Sequence, residues 1–173
     1  MTRDEILLIA VGRVPAVVGD WLGLGLPGAF GLPCRAGRPL PHPSYAWNAQ
    51  RRQYLADAIR DRLDPGESTC ALAVTDQDLY VPRLNFVFGL ADPANRRAII
   101  ALPRLRQSYY RLPEDKDLFQ QRVLKEAVHE LGHVFGLRHC GDRRCAMAFS
   151  NSLADTDFKG SVFCARCRRQ LHR

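Results

Sequence analysis

The apolar residues of this chain fall into short branched runs over its first two thirds and into a helical period after about residue 115. Ile6-Leu-Leu-Ile-Ala-Val11 is nearly continuous and ends at Gly12, which predicts a buried strand. Cys70-Ala-Leu-Ala-Val-Thr75, Leu84-Asn-Phe-Val-Phe88 and Ala98-Ile-Ile-Ala-Leu102 predict three more, separated by Pro, Asp and Asn of turn type. One further strand is expected around Phe30 to Cys34, inside a stretch rich in Gly and Pro, so the sheet should hold about four or five strands. The stretch from Val14 to Leu26 predicts a short helix that Gly19, Gly23 and Gly25 weaken. A second helix is expected after Asn48 as its cap, with Leu55, Ala58, Ile59 and Leu63 on one face and Pro65-Gly66 as its stop. Leu124, Val128, Leu131 and Phe135 recur at steps of three and four, which predicts an amphipathic helix from about Asp115 to Leu137. Beyond Gly136 no periodicity survives, and the tail has too few apolar side chains to build a core of its own. Something other than burial is expected to hold it.

With 173 residues, 46% of them hydrophobic and 25% charged, one globular domain with one core is expected. The run Ile6 to Val11 is too short to span a membrane, and no signal peptide is visible, so the expected location is cytoplasmic with no membrane partner. The formal charge of +7 comes mainly from arginine, since Lys116, Lys125 and Lys159 are the only lysines. No basic block is interleaved with aromatics, so the charge reads as a solvated surface and nucleic acid is not the expected partner. Composition alone leaves the oligomeric state open. Six cysteines without a secretion signal favour metal ligation over disulfides. Cys34 and Cys70 stand alone and read as small buried hydrophobes.

His129 and His133 lie four residues apart on the long helix, so both side chains leave the same face within reach of one ion. Between them Glu130, displaced around the helix, stays free to take a proton from a water that zinc has made acidic. A catalytic zinc site uses three protein ligands and keeps one position open. Gly136 can turn the chain back after the helix so that His139 completes the set, His129-Glu130-x-x-His133-x-x-Gly136-x-x-His139. Histidines that are merely solvated would not require this five-position spacing.

Cys140, Cys145, Cys164 and Cys167 form two close pairs joined by a connecting loop, which suits a closed, all-thiolate structural zinc site. Ion binding there would supply folding free energy to a tail short of apolar surface. Two disulfides, a redox dithiol and a zinc ribbon for nucleic acid are the alternatives. The redox reading lacks a strand-turn-helix context, while Arg143, Arg144, Arg166, Arg168 and Arg169 keep the nucleic-acid reading open. The competing functional reading is therefore a zinc-stabilised binding protein for an acidic partner such as RNA, for which Glu130 would have no use.

The extended histidine motif followed at once by Cys140, then Cys145-Ala-Met147 and Cys164-x-x-Cys167, resembles the archaemetzincins, a family of metzincin zinc metallopeptidases. Asp78-Leu-Tyr80, Leu84-Asn-Phe-Val-Phe-Gly-Leu-Ala91, Phe149-Ser-Asn-Ser152 and Asp157-x-Lys159 carry the likeness outside the motif. Between Met147 and Cys164 lie residues 148–163, about one fewer than the family pattern has, which a loop can absorb. The resemblance implies a compact mixed α/β fold of the metzincin type over residues 1–173. In it a mixed twisted sheet and the long active-site helix occupy about 1–137, and a short irregular, zinc-stapled lower part occupies 138–173. It also implies Met147 as a packing residue beneath the three histidines, and two zinc ions per chain, one catalytic and one structural. The implied substrate is peptide, with aminopeptidase-like action among the options. By analogy Leu84 to Phe88 would be the antiparallel edge strand that an extended substrate joins. Folded proteins rarely present such a backbone, so short or unfolded peptides are the expected substrates.

Overall fold

The computed structural model describes residues 3–171. Eight strands are present among them: β1 Arg3–Val11, β2 Cys34–Ala36, β3 Trp47–Asn48, β4 Gln53–Leu55, β5 Ser68–Thr75, β6 Leu79–Tyr80, β7 Gly89–Asp92 and β8 Arg97–Ala101. The α-helices are α1 Ala16–Phe30, α2 Ala56–Arg60, α3 Lys116–Val134, α4 Leu153–Phe158 and α5 Ala165–Leu171. Five strands form the main sheet in the order β2-β1-β5-β8-β7, and β3-β4-β6 form a small second sheet. β1, β2, β5 and β8 run parallel, whereas β7 pairs antiparallel with β8 at the sheet edge. No helix among the described residues is long and apolar enough to cross a membrane.

The apolar runs are continuous because both faces of the parallel strands are covered. Ile6, Cys70, Leu72, Val74 and Ile100 face α1 and α3, while Leu7, Ile9, Ala71, Ala73 and Ile99 face the side that carries α2. α1 runs four residues beyond its expected end. Val18, Leu22 and Leu26 are fully buried at steps of four, and this packing outweighs the low helix propensity of the glycines. At Gly25 the missing side chain is a necessity, since a Cβ there would lie 2.6 Å from Leu124 Cδ1. The helix ends at Gly31, whose φ of 69° is the left-handed cap that Gly adopts without strain. The weak strand expected at Phe30 to Cys34 begins only at Cys34, because α1 takes the residues before it.

Two expectations require correction. Asn48 caps no helix: it belongs to β3, its Oδ1 accepts from Arg51 N, and α2 holds only the five residues Ala56–Arg60. Pairing of Tyr54 with Trp47 and Leu79 draws residues 53–55 into a strand, a long-range contact that no local pattern announces. Leu84 to Phe88 is not the edge strand either, for the edge is Gly89–Asp92. The carbonyls of Leu84 and Asn85 accept from Arg51, and that of Asn85 also from Gln53 Nε2 at 2.9 Å. These side chains satisfy backbone groups that a neighbouring strand would otherwise have to pair. Asp78 braces the same corner, accepting from Gln53 and, through both oxygens, from Arg104 at 2.6 and 2.8 Å.

Asp115 caps α3 by accepting from Leu118 N. Below α3 the chain is largely irregular but includes α4 and α5, and it does share in burial: Cys145, Ala146, Met147, Phe163 and Cys167 join the main core. A polar stripe on α3 adds a second fastening. Arg122 forms a bidentate pair with Asp157 at 2.6 and 2.7 Å, Lys125 donates to Asp157 O, and Glu126 accepts from Thr156 Oγ1. Cys70 is fully buried and Cys34 half-buried, each beside Ile6 of β1, in keeping with their reading as small hydrophobes.

Candidate metal centre

α3 carries His129, Glu130 and His133 past the foot of β7, and the chain then reverses at Gly136, whose φ is 86°. The reversal is closed by Gly136 N donating to His133 O and Leu137 N to Gly132 O, both at 2.9 Å. It brings His139 back, so that one ring nitrogen from each of His129, His133 and His139 lies within 4.8 Å of the others. Met147 is fully buried against α3 at Gly132, one residue before His133, and Gly132 admits it, since a Cβ there would run into Met147 Sδ. Cys140 N donates to Met147 O at 2.8 Å, tying the third histidine's strand of chain to this methionine.

The ring orientations follow from backbone carbonyls. Ala146 O lies 2.8 Å from His129 Nδ1, and Leu137 O lies 2.8 Å from His133 Nδ1, so each Nδ1 carries the proton and donates. The Nε2 lone pairs then face one another across 3.2 Å, with no proton between them. Two acceptors at that distance repel unless a cation lies between them, and the gap approaches the edge of about 3.3 Å of a tetrahedron with zinc-nitrogen bonds of about 2.0–2.1 Å. Burial pushes His129 down to about 2, aided by the Lys159 charge, and burial also lowers His133 and His139. All three therefore present neutral imidazole, the form that binds metal. The donor set fits zinc.

The four cysteines Cys140, Cys145, Cys164 and Cys167 also converge, with their sulfurs within 4.8 Å of one another. All six cysteines are free thiols. Cys140 Sγ to Cys164 Sγ is 3.8 Å, far beyond a bond of about 2.04 Å and equal to the edge of about 3.8 Å of a tetrahedron with zinc-sulfur bonds of about 2.3 Å. Cys164 precedes α5, and hydrogen bonding from the Cys167 backbone holds its thiol down to about 7, close to the thiolate a metal requires. Backbone N–H groups of Met147 and Cys164 point at Cys145 Sγ. Of the arginines that kept the nucleic-acid reading open, Arg143 and Arg144 lie over the Phe158 ring and Arg166 donates to Cys140 Sγ.

Above the histidines opens a cleft of about 960 Å³, bounded by β7, the segment from Arg83 to Phe88, and Phe149. Phe149 is exposed and packs edge-on against His139 at 5.0 Å. Glu130 sits at the cleft floor, only 6% exposed. Burial pushes its carboxyl up to about 8, with the Glu126 carboxylate adding to the rise and Lys159 opposing it. Glu126 and Lys159 are themselves buried, their charges 3.0 Å apart as an ion pair without hydrogen-bond alignment. The sequence pattern pointed to neither Glu126 nor Thr156. The signal available was a second stripe on α3, Arg122, Glu126, Glu130 and His133, polar where a solvated face needs no such spacing.

Residues 46–173 match the family model described as Peptidase family M54. The chain is 39% identical over 178 residues to an archaemetzincin of Pyrococcus furiosus, covering 98% of this chain and 93% of that one. It is 44% identical over 167 residues to an archaemetzincin of Methanocaldococcus jannaschii, covering 96% and 92%. Among solved structures, the archaemetzincin of Archaeoglobus fulgidus complexed with malonate superposes with a TM-score of 0.85 at 36% identity, over 96% of this chain and 99% of that one. A zinc-dependent peptidase of Methanocorpusculum labreanum gives 0.84 at 30% identity, over 96% and 100%.

Proposed function

This chain belongs to peptidase family M54, the archaemetzincins, and is a zinc metallopeptidase; from that premise we propose that it cleaves short or unfolded peptides with Glu130 as general base. His129, His133 and His139 would hold the catalytic zinc, and Cys140, Cys145, Cys164 and Cys167 a second, structural one. The observation that carries the catalytic reading is Glu130, a carboxyl group buried on the cleft floor beside three neutral imidazoles, whereas the other acidic residue lining the cleft, Glu126, is paired with Lys159. When bound, zinc supplies Lewis acidity, polarising the scissile carbonyl and making water acidic near neutral pH.

The chain's own groups do the rest. Ala146 O and Leu137 O fix the imidazoles by accepting from Nδ1–H, leaving Nε2 free. In its ionised form, which burial disfavours and the charge of a bound zinc would favour, Glu130 takes the proton of the attacking water and passes it to the leaving amine nitrogen. The free side of β7 offers main-chain donors and acceptors to an extended peptide. β7 has only four residues, and the segment before it bends away, so pairing spans a few substrate residues and favours chains that are already unfolded.

Two experiments test this. Metal analysis of protein purified without chelator should return two zinc ions per chain, and one ion or none would sink the paired-site reading. Zinc-loaded enzyme should cut denatured proteins and short peptides but leave a panel of stable folded proteins intact. Efficient cutting of the folded panel would show that access to the cleft is not the restraint.

A further inference from the structure

Gly89 opens β7 at the point where the sheet edge meets the active-site helix. Glycine is the poorest choice inside a strand unless space or backbone conformation demands it. Conformation makes no such demand here, because Gly89 is not among the glycines with positive φ, namely Gly12, Gly31, Gly66 and Gly136. Space does. A Cβ built on Gly89 would lie 2.5 Å from Glu130 Cγ, 2.7 Å from Oε1 and 2.8 Å from the carboxyl carbon. The intruding methyl meets the middle of that side chain as well as its tip, so a small rotation of the carboxylate does not relieve the contact.

Glu130 has little room to retreat. It is 6% exposed, and one turn earlier on α3 stands the buried Glu126, paired with Lys159 from the end of α4, and the fields of both reach Glu130. β7 is held as well: Gly89 pairs with Ile100, and Phe88 O accepts from Ala101 N at 2.8 Å. The carboxylate arm of Glu130 thus occupies the volume that any other residue at position 89 would fill.

We propose that Gly89 is a positioning residue for the general base: its missing side chain seats the Glu130 arm against the strand edge that receives substrate. The proposal deepens the reading of Glu130 given above and rests on it. A methyl at position 89 must push Glu130 out of line with the water it deprotonates, while the outward-facing backbone of β7 and both metal sites stay as they are.

The experiment is a double-mutant cycle of Gly89→Ala and Glu130→Ala on zinc-loaded protein, read by melting temperature, metal content, kcat and KM. Gly89→Ala should lower kcat at least tenfold with KM within about twofold and both metals retained, and should lower Tm. In the Glu130→Ala background the same methyl enters vacated space, so Tm should stay level or rise. If Gly89→Ala alone fails to fold, the double variant should fold. A kcat within twofold of wild type, an equal loss of Tm in both backgrounds, or a double variant that also fails to fold would overturn the proposal. Undiminished activity of Glu130→Ala would instead remove the general-base reading, and the Tm cycle would still decide whether Gly89 seats that side chain.

Discussion

Replacing Glu130 by Ala is expected to lower peptide hydrolysis by about two to four orders of magnitude, a loss of about 3–5 kcal/mol of transition-state stabilisation, while metal content and fold persist. The side chain ligates nothing in either cluster, since the convergent nitrogens belong to His129, His133 and His139 and the convergent sulfurs to the four cysteines. Removing it deletes a buried carboxyl that folding must desolvate, so stability should hold or improve. The measurement is kcat with a peptide that wild type cleaves, alongside zinc analysis and a melting curve. Activity that survives undiminished would place the chemistry elsewhere or in a contaminant.

Changing Cys164 and Cys167 to Ser is expected to lower the melting temperature sharply and to release one metal ion while the histidine site keeps its own. Structural zinc binding is worth about 10–16 kcal/mol in small zinc modules, comparable with the whole stability of about 5–15 kcal/mol of a domain. The drop here should be smaller than that figure, because the lower part is held twice. Phe163 and Met147 are buried in the main core, and Arg122 and Glu126 reach down to Asp157, Thr156 and Lys159. A loss of about 4–6 kcal/mol would shift Tm by roughly 10–20 °C in a chain of this size. Unchanged melting with one ion lost would mean that burial and ion pairs suffice and the cysteine site is not structural. The expectation that the tail is held by metal alone is already too narrow, because its few apolar residues are placed in the core of the rest of the chain.

Local chemistry sufficed wherever one element carried its own signal. The period of Leu124, Val128, Leu131 and Phe135 and the turn at Gly136 lie within one short stretch of the chain. So do the three histidines of the motif, and it was this proximity that let spacing alone bring them together. The same holds for Ile6 to Val11 and Cys70 to Thr75, where burial on both faces leaves an unbroken apolar run. Leu84 to Phe88 has an equally strand-like composition, yet its carbonyls bond to Arg51 and Gln53, more than thirty residues away in sequence, and the edge strand begins one residue later. Asn48 looked like a cap because caps and turns use the same side-chain oxygen, and only the pairing of residues 53–55 with residues 79–80 separates the two cases. What lies around Glu130 was likewise decided by tertiary structure. Lys159 reaches Glu126 from the far end of α4, and Gly89 approaches from another strand. Sequence proximity determined which groups can bind a metal together. Which groups share the buried space around Glu130 was set by long-range packing, because excluded volume acts between side chains however far apart they stand along the chain.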